Sequence, residues 1–358
     1  MELIRPNINI NFVGFRHKAL VISGLIILAG LCALLFRGGL NMGVDFAGGT
    51  LIQIKFNKAT NPDEIRKALE GTVTQSTIQQ IGNAADNEYL IRTEAVHEQL
   101  QSLSNRIEEE VSKTYGPGQL VRRVEMVGAK VGHDLRQKAL FALYYSLLLI
   151  SIYISGRFEF QWIKSLIMGG VLVVGVYLME AIGLDAVYLT IGALLVTLAL
   201  CWVLKLPYAL GALLSLVHDL IVVVGIFALF NKEFTLEVLA ALLTLAGFSL
   251  NDTIVIYDRI RENRGKDRKV KFEEMVNIAI NQTLSRTILT STTVFFVILC
   301  LFLFGGTVIH DFSFAMLIGI ITGTYSTVFI ASPILIVYDT FSRGKPRKAV
   351  KKAAAATR

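Results

Sequence analysis

The chain of 358 residues is 53% hydrophobic and 18% charged, with a mean hydropathy of +0.57. That is more apolar surface than a water-soluble domain of this size can bury. The net charge of +7 is matched by the seven Lys and Arg of residues 343–358, a tail without acids; this argues against a nucleic-acid surface and for a tail held at anionic lipid headgroups. The three cysteines, Cys32, Cys201 and Cys300, lie in separate apolar runs with no disulfide or metal spacing.

Arg16, His17 and Lys18 precede a first apolar run at 19–36. No small-residue cleavage site follows, so this run is expected to be a retained span. A polar segment, Gly38–His133, comes next, with ten Lys/Arg and twelve Asp/Glu. Its periodicity alternates between two and 3.6. "GGTLIQIKF" predicts a strand. "NPDEIRKALEG" predicts a helix with Asn61 as N-cap and Pro62 at its first position. "TIQQIG" and "EYLIRT" predict two short strands joined by a turn at Asn83–Asn87. Ala95–Tyr115 predicts a helix ended by "GPG", and "QLVRRVEMVG" a last strand. The order β-α-β-β-α-β predicts a ferredoxin-like sheet with both helices on one face. No nucleophile, metal cluster or phosphate loop stands in it, so binding is its natural use.

Further apolar runs fall at 139–156, 163–182, 187–204, 207–230, 236–257, 287–304 and 312–338, which makes eight candidate spans with the first. Lys and Arg concentrate at the N-terminus, after the second span (Arg157, Lys164), after the fourth (Lys205), in 259–286 with eight bases against four acids, and in the tail. The alternate connections hold one base at most, so both termini are expected in the cytoplasm. A re-entrant hairpin over 163–204 would give six spans with the same parity. Within 270–284, Phe272, Met275, Val276 and Ala279 recur at helical spacing, which predicts a helix lying along the cytoplasmic interface or docked as a loop helix.

Charged groups inside apolar runs are costly, which makes them functional candidates. Asp252 stands six residues before Asp258–Arg259, about 9 Å deep at 1.5 Å per residue. Arg286 opens the next span at the same end, and antiparallel neighbours commonly pack. It can meet Asp252 or simply reach the headgroups; residue physics leaves both open. Ser249 shares the helix face of Asp252, and Thr287, Thr290, Ser291, Thr292 and Thr293 crowd the partner span. His218 and Asp219 form a second intramembrane pair. Glu180, Asp185 and His310–Asp311 flank outer turns, where solvation accounts for them.

Together "GVDFAGGT" (43–50), "VGAKVGHDL" (127–135), "SGRFEF" (155–160), "HDL" (218–220), "GFSLNDTIVIYDRIREN" (247–263) and "NQTLSRTILTS" (281–291) resemble the SecF family of protein-export membrane proteins. The resemblance implies an α-helical polytopic membrane protein, a half of the resistance–nodulation–division type, with a ferredoxin-like periplasmic α+β domain. It implies a bacterial inner-membrane, non-enzymatic subunit without cofactor or metal. With SecD beside the SecYEG channel, such a subunit uses the proton motive force to help secreted chains across. Implied partners are SecD, SecYEG, YajC, YidC and the unfolded translocating polypeptide, with no nucleic acid. Asp252 and Arg286 match the family's proton-transport aspartate and arginine; Asp219 joins them, with Asn251, Ser249, His218, Thr287 and Thr290 in support. Gly43, Asp45, Gly48, Gly49, Gly128, Gly132, Arg157, Asp258 and Arg259 belong to the structural motifs.

The expected layout is a cytoplasmic N-terminus (1–18), a first span (19–36), the periplasmic domain (37–135), a second span (136–160), an inserted apolar hairpin (161–210), four further spans (211–340) with a cytoplasmic loop at 259–286, and the basic tail (341–358). The hairpin departs from the family's usual six spans, and Ala129 stands where the family often has proline. The alternative function is one half of a proton-driven exporter of small molecules or lipids. A passive scaffold gains nothing from the insertion cost of Asp252, Asp219 and Arg286.

Overall fold

The structure, a computed structural model, describes residues 8–69, 77–81, 87–93, 100–116, 120–266 and 270–343. The tail beyond 343, the turn at 82–86 and the first residues of the 95–115 helix lie outside them. Among the described residues, eight helices are long and apolar enough to cross a membrane. They are α1 (Phe12–Arg37), α5 (Ala129–Ile154, continued by a π-helical turn Ser155–Glu159), α6 (Trp162–Ala181), α7 (Ala186–Val203), α8 (Pro207–Leu229), α9 (Leu236–Lys266), α10 (Phe272–Phe304), and α11 (Gly306–Ser326), which runs through a π-helical turn Thr327–Ala331 into α12 (Ser332–Arg343). The first two are separated by a sheet domain that follows a short helix α2 (Val44–Ala47).

The sheet domain has β1 (Gly49–Lys55), α3 (Pro62–Ala68), β2 (Thr77–Ile81), β3 (Glu88–Thr93), α4 (Leu100–Tyr115) and β4 (Leu120–Val127). Its order β2-β3-β1-β4 is antiparallel throughout, the ferredoxin-like arrangement. Ile52 pairs with Ile91 and Ile54 with Tyr89. These side chains meet Ile65 and Leu69 from the α3 end and Ile107 and Val111 of α4, all on one face. Asn61 caps α3 through Glu64 N (2.9 Å), with Pro62 behind it. Gly116, at φ +89°, ends α4 in a conformation that favours glycine.

Helices α6 and α7 form a hairpin against α5 and α8. Gly169 sits where a Cβ would meet Ile152 Cδ1 at 2.5 Å, and Asp185 caps α7 through Val187 N at 2.8 Å. Glu180 accepts from Gln137 at 2.6 Å. Ala129 occupies the first helical position of α5, just after Gly128, a place where proline is tolerated but not required.

One expectation is corrected. Residues 270–284 are not a separate helix lying along the interface. They begin the continuous 33-residue α10. Their apolar stripe of Phe272, Met275, Val276, Ala279 and Ile280 packs into the main bundle core. The N-terminal segment holds this half of α10 in place, because Asn277 and Asn281 both donate to Ile10 O (3.0 and 2.9 Å).

Candidate functional site

Helices α8, α9, α10 and α11 bring two carboxylates into the bundle. Asp219 is 1% exposed and Asp252 is 4% exposed. Asp252 accepts from Ser291 Oγ at 3.0 Å and from Thr290 Oγ1 at 3.4 Å, both on α10. Ser291 in turn accepts from Thr324 Oγ1 of α11 at 2.8 Å. Asp219 Oδ2 accepts from Ser249 Oγ of α9 (2.8 Å) and Ser326 Oγ of α11 (2.9 Å), and Ser326 accepts from Ser215 Oγ (2.9 Å). Each carboxylate therefore ends a short relay of hydroxyls, in which each bond polarises the next.

His218 extends the second relay to α1. Its Nδ1 lies 3.1 Å from Asp219 Oδ1 and its Nε2 lies 3.1 Å from Ser23 Oγ. Tyr325 OH donates to Ala19 O and accepts from Ser23 Oγ, so Ser23 accepts from Nε2–H of the ring, and Nδ1 faces Asp219 as an acceptor from the protonated carboxyl or, in the imidazolium, as a donor to the carboxylate. Ser23 Oγ lies 3.1 Å from Tyr325 OH.

Four consecutive residues, Thr324–Thr327, thus reach four helices. Thr324 meets α10, Tyr325 meets α1, Ser326 meets Asp219 on α8, and Thr327 meets Thr253 on α9 at 3.0 Å. At 3.6 residues per turn, four successive positions point around the whole helix, and a π-helical turn, a feature often found at functional sites, begins at the last of them, Thr327. Gly323, one residue before the fan, brings α11 onto α9: a Cβ there would lie 3.0 Å from Ser249 Cβ. Sequence reasoning passed over Ser23, Ser215, Thr324 and Ser326. The hydroxyl-rich run "TGTYSTVFIAS" (322–332) inside the last apolar block is the signal that marks the α11 members.

Arg286 is exposed on α10. Among the described residues it forms no ion pair with Asp252 within 4 Å, and no Lys or Arg nitrogen lies within that distance of either carboxylate. Asn251 is exposed on α9. Thr287 is buried, and its Oγ1 has no hydrogen-bond partner among the described residues.

The glycine motifs work at the domain end of the bundle. Gly43 N donates to Phe234 O (2.9 Å). A Cβ on Gly132 would lie 2.9 Å from Gly48 N, so α5 starts in contact with the main chain that follows α2. Gly49, at φ +118°, sits against Thr93 O, and Gly128 precedes α5. At the opposite end Arg157 pairs with Asp258 (2.6 Å), Arg261 donates to Arg157 O (3.3 Å), and Arg259 pairs with Glu262 (2.9 Å). Glu159 accepts from Tyr208 N at 2.8 Å and so covers the start of α8.

Two family descriptions match the chain. "Protein export membrane protein SecD/SecF, C-terminal" matches residues 107–198 and 171–340, and "SecD/SecF GG Motif" matches 33–60. The "Protein translocase subunit SecF" of Calditerrivibrio nitroreducens is 38% identical over 348 residues, covering 96% of this chain and 98% of that one. The subunit of the same name from Helicobacter pylori is 32% identical over 357 residues, covering 99% and 95%. Among solved structures, SecDF of Thermus thermophilus, titled a translocon-associated membrane protein, superposes with a TM-score of 0.70 at 26% identity. That match covers 94% of this chain but 40% of the SecDF chain.

Proposed function

The chain belongs to the SecF family of protein-export membrane proteins, and from that premise we propose that this Sec export subunit draws on a proton gradient through Asp252 and Asp219. The observation that carries the reading is that both buried carboxylates are held by hydroxyls, with one histidine and no permanent cation. A hydroxyl donates to an ionised carboxylate and, by rotating, accepts from a protonated one. Such a site serves both states, while a fixed Arg or Lys partner would favour ionisation. An ionised carboxylate at this depth costs at least ~2.5 kcal/mol, so loading a proton changes the energy of the whole bundle. Arg286, at the start of the membrane part of α10, is read as the cation that approaches Asp252 in another stage of the cycle.

The partner is read as SecD. Asn251 of α9 and Arg286 of α10 are polar and exposed within apolar spans, a state that lipid does not satisfy. A second helical half covering this face would, and the Thermus SecDF chain has room for one, since the match occupies 40% of it. The subunit is read as non-enzymatic. It lies in the bacterial inner membrane with the sheet domain outside and both termini in the cytoplasm, which the distribution of Lys and Arg supports. YajC, YidC and the emerging polypeptide stand as further partners on the family's pattern. Replacing Asp252 with Asn keeps size and removes the titrating group. Gradient-driven late export in membrane vesicles is expected to fall to the level without a gradient, with SecD still co-purifying. Full export from a stable, SecD-bound Asp252→Asn subunit would sink the proton reading.

A further inference from the structure

The turn between α8 and α9 spans only 230–235, yet nearly every residue in it is held. Asn231 O accepts from Asn41 Nδ2 (3.4 Å). Lys232 pairs with Asp311 of α11 (2.7 Å) and lies over the Phe314 ring (5.3 Å). Glu233 pairs with Arg92 of β3 (2.8 Å), with the side chains only 14% and 18% exposed. Phe234 N donates to Asn41 O (2.8 Å), Phe234 O accepts from Gly43 N (2.9 Å), and its ring lies 6.0 Å from that of Phe46. Leu236 N, in the first turn of α9, donates to Asp45 Oδ2 at 3.0 Å.

These contacts join the sheet domain to the helices that carry the buried carboxylates. Arg92 stands in β3, an inner strand of the sheet, and also donates to Met42 O at 2.8 Å. Asp45 gives α9 an acidic cap from outside its own sequence, placed where backbone N–H groups lack partners and the helix dipole favours a negative charge. Gly43 makes the approach possible: a Cβ there would lie 2.8 Å from Thr235 Cγ2 and 3.2 Å from Phe234 O. From Leu236, α9 runs without proline for sixteen residues to Asp252, about 24 Å of helix.

We propose that the α8–α9 turn is the element that delivers a movement at Asp219 or Asp252 to the sheet domain, with Asp45, Arg92 and Glu233 as its positioning residues. The inference rests on the proton reading above and adds the route. A domain tethered only through β1 and β4 would swing freely on its connections to α1 and α5. A domain whose inner strand is ion-paired to the α8–α9 turn, and whose first segment caps α9, shifts when those helices shift. The charge pair is half-buried, so removing one partner leaves the other uncompensated, while exchanging both restores the pair.

The test uses vesicles with the full complex and a subunit lacking Cys32, Cys201 and Cys300. Spin labels are placed at Lys58→Cys in the domain and at Phe304→Cys at the domain end of α10. The label distance is expected to change when a proton gradient is applied. Glu233→Lys is expected to abolish that change and slow gradient-driven export about tenfold, within the range of coupling between sites, at unchanged complex levels. Adding Arg92→Glu is expected to restore both. Asp45→Ala, which removes the cap without adding charge, is expected to reduce both as well, and it is the deciding variant if Glu233→Lys fails to assemble. Full export and an unchanged gradient response in Glu233→Lys or Asp45→Ala would overturn the inference. Loss of export in Asp252→Asn beside normal clamp variants refutes the route alone. Normal export in Asp252→Asn refutes the proton reading itself.

Discussion

Gly30 and Gly225 mark a close approach of α1 to α8, and replacement of Gly30 gives a sharp test of how α1 is tied to the site. An ideal Cβ on Gly30 would lie 2.6 Å from Gly225 Cα, against about 3.5–4.0 Å for a comfortable carbon contact. Gly30→Ala therefore pushes the two helices apart by about 1 Å. Ser23 lies seven residues away, about 10.5 Å along α1, and its 3.1 Å contact with His218 would stretch past hydrogen-bonding distance. Overpacking costs about 1–3 kcal/mol and the lost bond about 0.5–1.5 kcal/mol. Gly24→Ala on the same helix is the control. Its Cβ would meet nothing within 4 Å, and alanine gains up to ~1 kcal/mol in helix propensity. Both replacements gain that propensity, so the variants should differ by overpacking plus the lost bond, about 1.5–4.5 kcal/mol in thermal unfolding in detergent, with Gly30→Ala the less stable. Gradient-driven export should fall in Gly30→Ala alone. Equal midpoints would refute the close crossing, and with it the link from α1 to Asp219.

Ser291→Ala removes the hydrogen bond to Asp252, about 1.5–3 kcal/mol whenever that carboxylate is ionised; gradient-driven export should fall about tenfold or more, while Thr292→Ala, whose hydroxyl donates to neither carboxylate, should export normally. Burial pushes the Glu233 carboxyl above its usual range, against the pull of Arg92. The folded chain thus keeps that proton at a pH where the unfolded chain has lost it, so this group's contribution to stability declines as pH rises from about 4.3 through the raised value. Glu233→Gln should flatten that slope in unfolding curves taken between about pH 4 and 7, and an unchanged slope would count against the buried pair. A cysteine at Asp185 should label from the domain side of the membrane, as two full spans in α6 and α7 require; labelling only from the other side would mean a re-entrant hairpin.

Much of the architecture is local and therefore legible in the chain itself. Eight apolar blocks mark eight helices because lipid demands about 20 apolar residues per crossing. The strand and helix order of the domain follows from alternating periods and from caps such as Asn61–Pro62. The cost of a buried charge alone singles out Asp219 and Asp252. What the sequence leaves undetermined is azimuth. A span that is apolar all round has no polar face to show which side meets its neighbours, so the choice of Ser291 and Thr290 beside Asp252, with Arg286 outside ion-pair distance, is made by helix packing. The same packing turns the apolar stripe of residues 272–280 inward and makes them the first turns of α10. It surrounds Thr324–Thr327 with four helices, and it places Asp45, almost two hundred residues earlier in the chain, on the start of α9. These contacts join segments far apart in sequence, where only the close approach of backbones at Gly43, Gly132 and Gly323 decides which groups can touch.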